Sequence, residues 1–180
     1  DNIKEIFETS NGVLFAHGFD NLRNNRYRVR EFETQFAKYI GTDFALAVTS
    51  GTIAQYVAMK AMGIKPGDEV ITQAFTFVAT VEAIIALGAI PVIVDINETY
   101  NMDPIELEKA ITSKTKLIIP VHMLGNPAQM DEINNIGEKY KITVLEDGCE
   151  ALGAKYKDKF VGNLSNAAVF SLDFAKTITC

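Results

Sequence analysis

The chain has 180 residues, of which 48% are hydrophobic and 22% charged, with 17 Lys and Arg against 23 Asp and Glu for a formal net charge of -6. That length suits one domain able to bury roughly 70% of the surface its unfolded form exposes. The acidic balance argues against a nucleic-acid or anionic-membrane binder, since both need a basic face to neutralise phosphates.

The N-terminus carries acidic residues where a signal peptide would have a basic region before an apolar core. Arg23, Arg26, Arg28 and Arg30 form the one basic cluster. With Glu31 and Glu33 following, it reads as a solvated helix start, with an anion contact as the rival reading. Val29, Phe32, Phe36 and Ile40 recur at near-helical spacing. Phe44 to Val48 is the first strand candidate, and a helix opens after Gly51. Glu69 to Thr72 is the second strand, and a helix follows Thr76. The longest apolar stretch, Ala83 to Val94, holds Gly88 and Pro91 and falls short of the ~20 residues that span a bilayer. Its end, Ile90 to Val94, is the third strand. Asp103, Pro104 and Glu106 supply a cap, a first-turn proline and a capping-box acid for a helix through Ile111. A strand at Lys116 to Val121, a helix at Asp131 to Tyr140, and strands at Ile142 to Leu145 and Ala167 to Phe170 complete the series. Continuous apolar strands between helices predict a parallel sheet of six strands covered on both faces.

In such a sheet ligands sit outside the carboxyl ends of the strands. Thr49-Ser50-Gly51-Thr52 lies after the first strand and opens a helix, whose N-terminus can hold an anion. Phe77, Asp95, His122, Asp147, and Ser171 with Lys176 follow the next five. A buried acid beside an amine suggests covalent carbonyl chemistry, with the lysine as Schiff-base nucleophile. Neither a Gly-x-Gly-x-x-Gly turn nor a Walker A sequence is present, which disfavours a nicotinamide oxidoreductase or a nucleotide hydrolase. Taken singly, Lys176 reads as a surface lysine, Asp147 as a loop cap, Phe77 as core and Ser50 to Thr52 as an N-cap and turn. His122 reads as a structural histidine, Asp95 as a strand-end cap and Cys149 as packing. Two cysteines, Cys149 and Cys180, are too few for a disulfide framework and fit free thiols in a reducing cytoplasm. With His17 and His122 they lack zinc-site spacing, so no metal is expected.

Seven stretches in register resemble one family. They are Val29-Arg-Glu-Phe-Glu33 with Ile40-Gly41, Thr49-Ser-Gly-Thr52, Thr76-Phe-Val-Ala-Thr80, Gly88-Ala-Ile-Pro-Val92 with Asp95, Pro120-Val-His-Met-Leu-Gly125, Leu145-Glu-Asp-Gly-Cys-Glu-Ala-Leu-Gly153 and Phe170-Ser-Leu-Asp-Phe-Ala-Lys176. Together they resemble the first half of the DegT/DnrJ/EryC1/StrS sugar aminotransferases. The resemblance implies a three-layer α/β/α large domain of the fold type I transferases that use pyridoxal 5′-phosphate (PLP). It implies that Lys176 forms the Schiff base with PLP, Asp147 pairs with the ring nitrogen, Phe77 stacks on the ring, and Gly51, Thr52 and Ser171 bind the phosphate. Glu150 stands near the ring, where the family usually has Gln or His. Asp173 replaces a frequent His, and Gly148 another small residue.

The activity so implied is transfer of an amino group from an amino-acid donor, glutamate in the family, to a nucleotide-linked keto sugar, as in polysaccharide biosynthesis. The family's dehydratase branch, in which histidine replaces the lysine, is the near alternative, and Lys176 argues against it. A non-catalytic regulatory protein of this fold is the alternative of a different class. By the same resemblance the partners are the two substrates and a second copy in a homodimer, with no nucleic acid and no membrane. Residues 1–180 would be a truncated PLP-binding large domain without the small C-terminal domain, inactive by itself. Its end would be loosely held around Lys176 and Cys180, and the strand from Phe44 would lose its sheet neighbour.

Overall fold

The computed structural model describes residues 2–10, 20–22, 24–176 and 178; His17, Arg23 and Cys180 lie outside them. Contacts divide the chain into two compact units, Asp1–Ala47 and Val48–Cys180.

Among its described residues the first unit holds two helices, α1 (Asn2–Ser10) and α2 (Arg28–Ile40). In α2 the apolar spacing buries Ala37 and Ile40 and brings the Phe32 and Phe36 rings to 5.5 Å. The helix stops at Gly41, whose φ of 89° turns the next N–H, of Thr42, back to the Ala37 carbonyl that Gly41 also reaches. Arg28 and Arg26 donate to the Glu5 carboxylate at 2.6 and 3.0 Å, which holds that carboxyl below its usual range. Both also pair with Glu31, and Arg30 lies 4.5 Å from the Tyr27 ring centroid. Within the basic cluster, Arg26 and Arg28 are therefore paired with acids at the helix start, and Arg30 lies against an aromatic ring.

Residues 44–48 are not a strand. Five apolar residues have the capacity to be buried, but a strand also needs a hydrogen-bonding neighbour, and among the described residues this segment has none. The Ala47 N–H donates instead to the Glu33 carboxylate, and Phe44 is 90% exposed. Among the described residues the predicted six-stranded sheet is thus five-stranded.

In the second unit the chain runs α3 (Gly51–Ala61), β1 (Glu69–Gln73), α4 (Val78–Ala86), β2 (Ile90–Val94), α5 (Pro104–Ala110), β3 (Thr115–Ile119), α6 (Met130–Tyr140) and β4 (Thr143–Asp147). A short antiparallel hairpin of β5 (Lys155–Tyr156) and β6 (Lys159–Phe160) precedes β7 (Ala167–Val169). Five strands form one parallel sheet in the order β2-β1-β3-β4-β7. The chain steps from β1 to β2 on one side and then to β3 on the other, which puts the reversal of strand order between β1 and β3. Pro91 is tolerated because β2 is an edge strand; β3 stops just before Pro120.

Alternate residues of each strand enter opposite cores. Val70, Leu117, Ile119, Leu145 and Val169 pack with Met59 of α3 and with Ala83 and Ile84 of α4. Ile71, Ile118 and Val144 pack with Leu107 of α5 and with Met130, Ile133 and Ile136 of α6. The result is the three-layer α/β/α arrangement expected from the sequence. Among the described residues no helix is long and apolar enough to cross a membrane.

Candidate active site

Because the five strands are parallel, their carboxyl ends share one rim. Asp147 is the last residue of β4, next to the sheet's centre, and its backbone is pinned on both sides. Its N–H donates to the Pro120 carbonyl, its carbonyl accepts from His122, and the next N–H, of Gly148, donates to Val169. The side chain is 3% exposed. Gln55 Nε2 and Thr80 Oγ1 donate to Oδ2 at 2.6 and 2.9 Å, and the Cys149 N–H donates to Oδ1 at 3.1 Å. Since the Thr80 proton is committed to Asp147, the 3.0 Å contact between the Thr76 and Thr80 hydroxyls runs from Thr76 to Thr80. The single Thr76 proton also faces the Phe77 carbonyl at 3.3 Å, so Thr76 offers it to two acceptors.

Every one of these donors is a neutral group, and among the described residues Asp147 is in no ion pair. Buried charges are ordinarily paired, so this carboxylate suits a ligand that brings positive charge to it.

Lys176 ends up a short way along the same rim. Its Nζ is 3.6 Å from Glu150 Oε1 and 5.5 Å from the Phe77 ring centroid, and its side chain is 17% exposed. Its ion-pair partner is Glu150. The other Glu150 oxygen accepts the Leu124 N–H at 3.2 Å, in a turn where Leu124 and Gly125 have φ of 56° and 79°. Phe77 precedes α4 and is 62% exposed, an aromatic face turned to solvent beside an amine.

Gly51 opens α3, with Ser50 capping it through a hydrogen bond accepted from Ile53. The N–H groups of Gly51 and Thr52 lie in the first helical turn, which has no preceding carbonyls to receive them. A Cβ on Gly51 would come within 3.1 Å of Ser171 Cβ and 3.3 Å of Cys149 Sγ. The glycine lets the helix start approach the segment after β7. Cys149 links the groups: burial first, then the Asp147 charge and hydrogen bond, push its thiol pKa far up, with Lys176 opposing.

The structure thus brings Gly51 to Ser171 and Cys149, Cys149 to Asp147, and Lys176 to Phe77 and Glu150. Asp95 stays apart, its Oδ1 accepting the Ile96 N–H as a strand-end cap. His122 is buried: Nδ1 accepts the Ala128 N–H at 2.9 Å, so the ring proton sits on Nε2 and is directed at Glu146, 3.2 Å away. Glu146 in turn accepts from the Gly162, Leu164 and Ser165 N–H groups and fastens that loop to β4. Gln55 and Thr80 were not singled out from the sequence. Their signal was present: Gln55 is the polar residue on the buried face of α3, one turn before Met59, and Thr80 is a polar residue in the first turn of the largely apolar α4. Among the described residues no group of three or more His, Cys, Asp or Glu side chains is placed to hold a metal ion.

Residues 11–180 match the DegT/DnrJ/EryC1/StrS aminotransferase family. The chain belongs to that family. Among curated members, the UDP-2-acetamido-2-deoxy-3-oxo-D-glucuronate aminotransferase of Pseudomonas aeruginosa is 45% identical over 164 residues, which cover 88% of this chain and 46% of the relative. Of the solved structures, NtdA from Bacillus subtilis with bound cofactor PMP superposes with a TM-score of 0.84 at 34% identity, covering 99% of this chain and 40% of that one. The E. coli GDP-4-keto-6-deoxy-D-mannose-3-dehydratase with bound hydrated PLP does so at 0.79 and 36%, covering 84% and 41%. The fold is that of the DegT/DnrJ/EryC1/StrS aminotransferases and their fold type I neighbours. The chain spans 44–46% of the length of the curated relatives it matches.

Proposed function

We propose that residues 1–180 form part of the PLP-binding domain of an enzyme that transfers an amino group from an amino-acid donor, glutamate, to a nucleotide-linked keto sugar. The observation that carries this reading is the buried carboxylate of Asp147, solvated only by neutral donors, on the same rim as a lysine held against an exposed aromatic ring. A protonated pyridine ring would supply the missing positive charge. When bound, PLP provides the electron sink that stabilises a carbanion at the substrate carbon.

This chain's residues then have distinct tasks. Asp147 would accept a hydrogen bond from the ring nitrogen and favour its protonated form. Phe77 offers the flat apolar face against which a ring is held. The Gly51 and Thr52 N–H groups and the Ser171 hydroxyl bind the phosphate at the positive end of α3. Lys176 Nζ would be the amine that holds the cofactor, and its basic nitrogen would be placed to carry a proton to or from a bound substrate. Glu150 holds that amine as an ion pair and ties it to the Leu124 turn.

The relatives support the sugar class: a keto-sugar aminotransferase at 45% identity and a keto-sugar dehydratase structure at 36%. The dehydratase neighbour keeps that chemistry as the second reading, and a lysine at position 176 favours transamination. A homodimer in the cytoplasm completes the proposal. The test is to equilibrate the protein with PLP, reduce with borohydride and map the modified peptide by mass spectrometry. Cofactor mass on Lys176 is expected; an adduct elsewhere, or none, would refute the assignment. With donor glutamate present, consumption of the amine form of the cofactor by a nucleotide keto sugar, with amino sugar as product, separates transamination from dehydration.

A further inference from the structure

Helix α3 buries an amide on a face that otherwise packs into the apolar core. Gln55 is 1% exposed, one turn before Met59. Its Nε2 donates to Asp147 Oδ2 at 2.6 Å and lies 3.3 Å from Thr80 Oγ1. Among the described residues its Oε1 is buried without a partner. Chemistry fixes which way the amide is turned, because an ionised carboxylate only accepts and so must face the NH2 group.

This arrangement is costly for stability. A buried carbonyl oxygen with no donor bears its desolvation penalty in full, whereas an apolar side chain of similar volume would bear none. Asp147 would still keep the Thr80 hydroxyl and the Cys149 N–H without the amide. The fold therefore does not require Gln55 to be polar. What the amide adds is a second donor to Oδ2, from α3, beside the one Thr80 brings from α4.

We infer that Gln55 is a positioning residue: it fixes the rotation of the Asp147 carboxylate so that the acid meets a ligand's ring nitrogen in one preset orientation. The inference rests on the reading of Asp147 as the partner of the PLP ring. A ligand group bound by a preset acceptor does not have to immobilise that acceptor itself, so the effect belongs in affinity and in the protonation of the ring nitrogen.

The experiment compares the protein with its Gln55→Leu variant, using PLP labelled with nitrogen-15 in the ring. The PLP-free variant is expected to fold with a thermal midpoint close to that of the parent, because losing one donor to Asp147 and removing the orphaned Oε1 act in opposite directions. Its PLP dissociation constant should rise about tenfold, the scale of one hydrogen bond to a charged group. The ring-nitrogen resonance should move toward that of an unprotonated pyridine, a signature that a packing role would leave in place. Thr80→Val, which removes the other donor to the same oxygen, should shift that resonance in the same direction. Unchanged affinity and resonance in Gln55→Leu would overturn the inference, and so would failure of that variant to fold, which would make the amide structural. If the parent itself gives no adduct on Lys176, the assignment of the site and this inference fall together. An adduct with an unchanged resonance in the variant sinks only the inference.

Discussion

Cys149 sits where its reactivity reports the electrostatics of the site. The thiolate is the form that alkylates, and burial together with the Asp147 carboxylate pushes the thiol far above its usual pKa. At pH 8 Cys149 should therefore react with iodoacetamide much more slowly in the folded protein than in urea. Asp147→Asn removes an influence that raises the pKa, so the folded variant should alkylate faster; equal rates would mean that burial alone protects the thiol. Its neighbour Gly148 tests packing. A Cβ there would stand 2.7 Å from Phe170 Cε1 and 3.1 Å from Val161 Cγ1. Gly148→Ala should cost about 1–3 kcal/mol by overpacking, read from the urea midpoint, and an unchanged midpoint would show that the Phe170 ring can swing aside. At this scale the sequence revealed reactive residue types at strand ends, Asp147 and Lys176 among them. It did not reveal which would pair: the partner of Lys176 depends on how far Glu150 is carried toward the rim by the turn after β4. The side-chain donors of Asp147 come from α3 and α4, 92 and 67 residues away in the chain.

Helix ends and turns differ in how openly the sequence announces them. In α5 the Asp103 carboxylate accepts the Ile105 N–H at 2.8 Å, with Pro104 at the first helical position. Both features follow from local geometry and were legible in advance. Asp103→Ala should lose about 1 kcal/mol of stability, measured by chemical denaturation; no loss would mean water replaces the cap freely. Helix α6 gives the opposite case. Alanine normally stabilises a helix by about 1 kcal/mol over glycine, but a Cβ at Gly137 would lie 2.9 Å from the Ile142 carbonyl oxygen and 3.0 Å from Val144 Cγ2. Backbone oxygen cannot move aside cheaply, so Gly137→Ala is expected to destabilise by about 1 kcal/mol net, and a stabilised variant would show that α6 can shift on the sheet. Propensity gave no hint of this, because the clash comes from the strand that follows. The β5–β6 hairpin was equally silent: it turns at Lys157, with φ of 55°, without the Asn-Gly or Asp-Gly pair that marks such turns.

Across the whole molecule the sequence specified alternation of strands and helices well enough to give the layers, but the neighbours of each strand depend on long-range pairing. In β3, Leu117, Ile118 and Ile119 are all 0% exposed, and the strand is flanked by β1 on one side and β4 on the other. Amides there open only when the sheet itself comes apart, so they should show the slowest hydrogen exchange in the chain. Residues 44–46 are as apolar as a strand but have no ladder, and should exchange close to the rate of an unfolded peptide. Ala47 should be intermediate, since its N–H is held at 2.8 Å by the Glu33 carboxylate; Glu33→Gln should weaken that protection and leave β3 unchanged. The comparison distinguishes two origins of an apolar run. If the run at Phe44 exchanges fast, its hydrophobicity is a capacity that this chain leaves unused. Protection there equal to that of β3 would require a strand beside it, and its loss on dilution would identify that strand as belonging to a second copy.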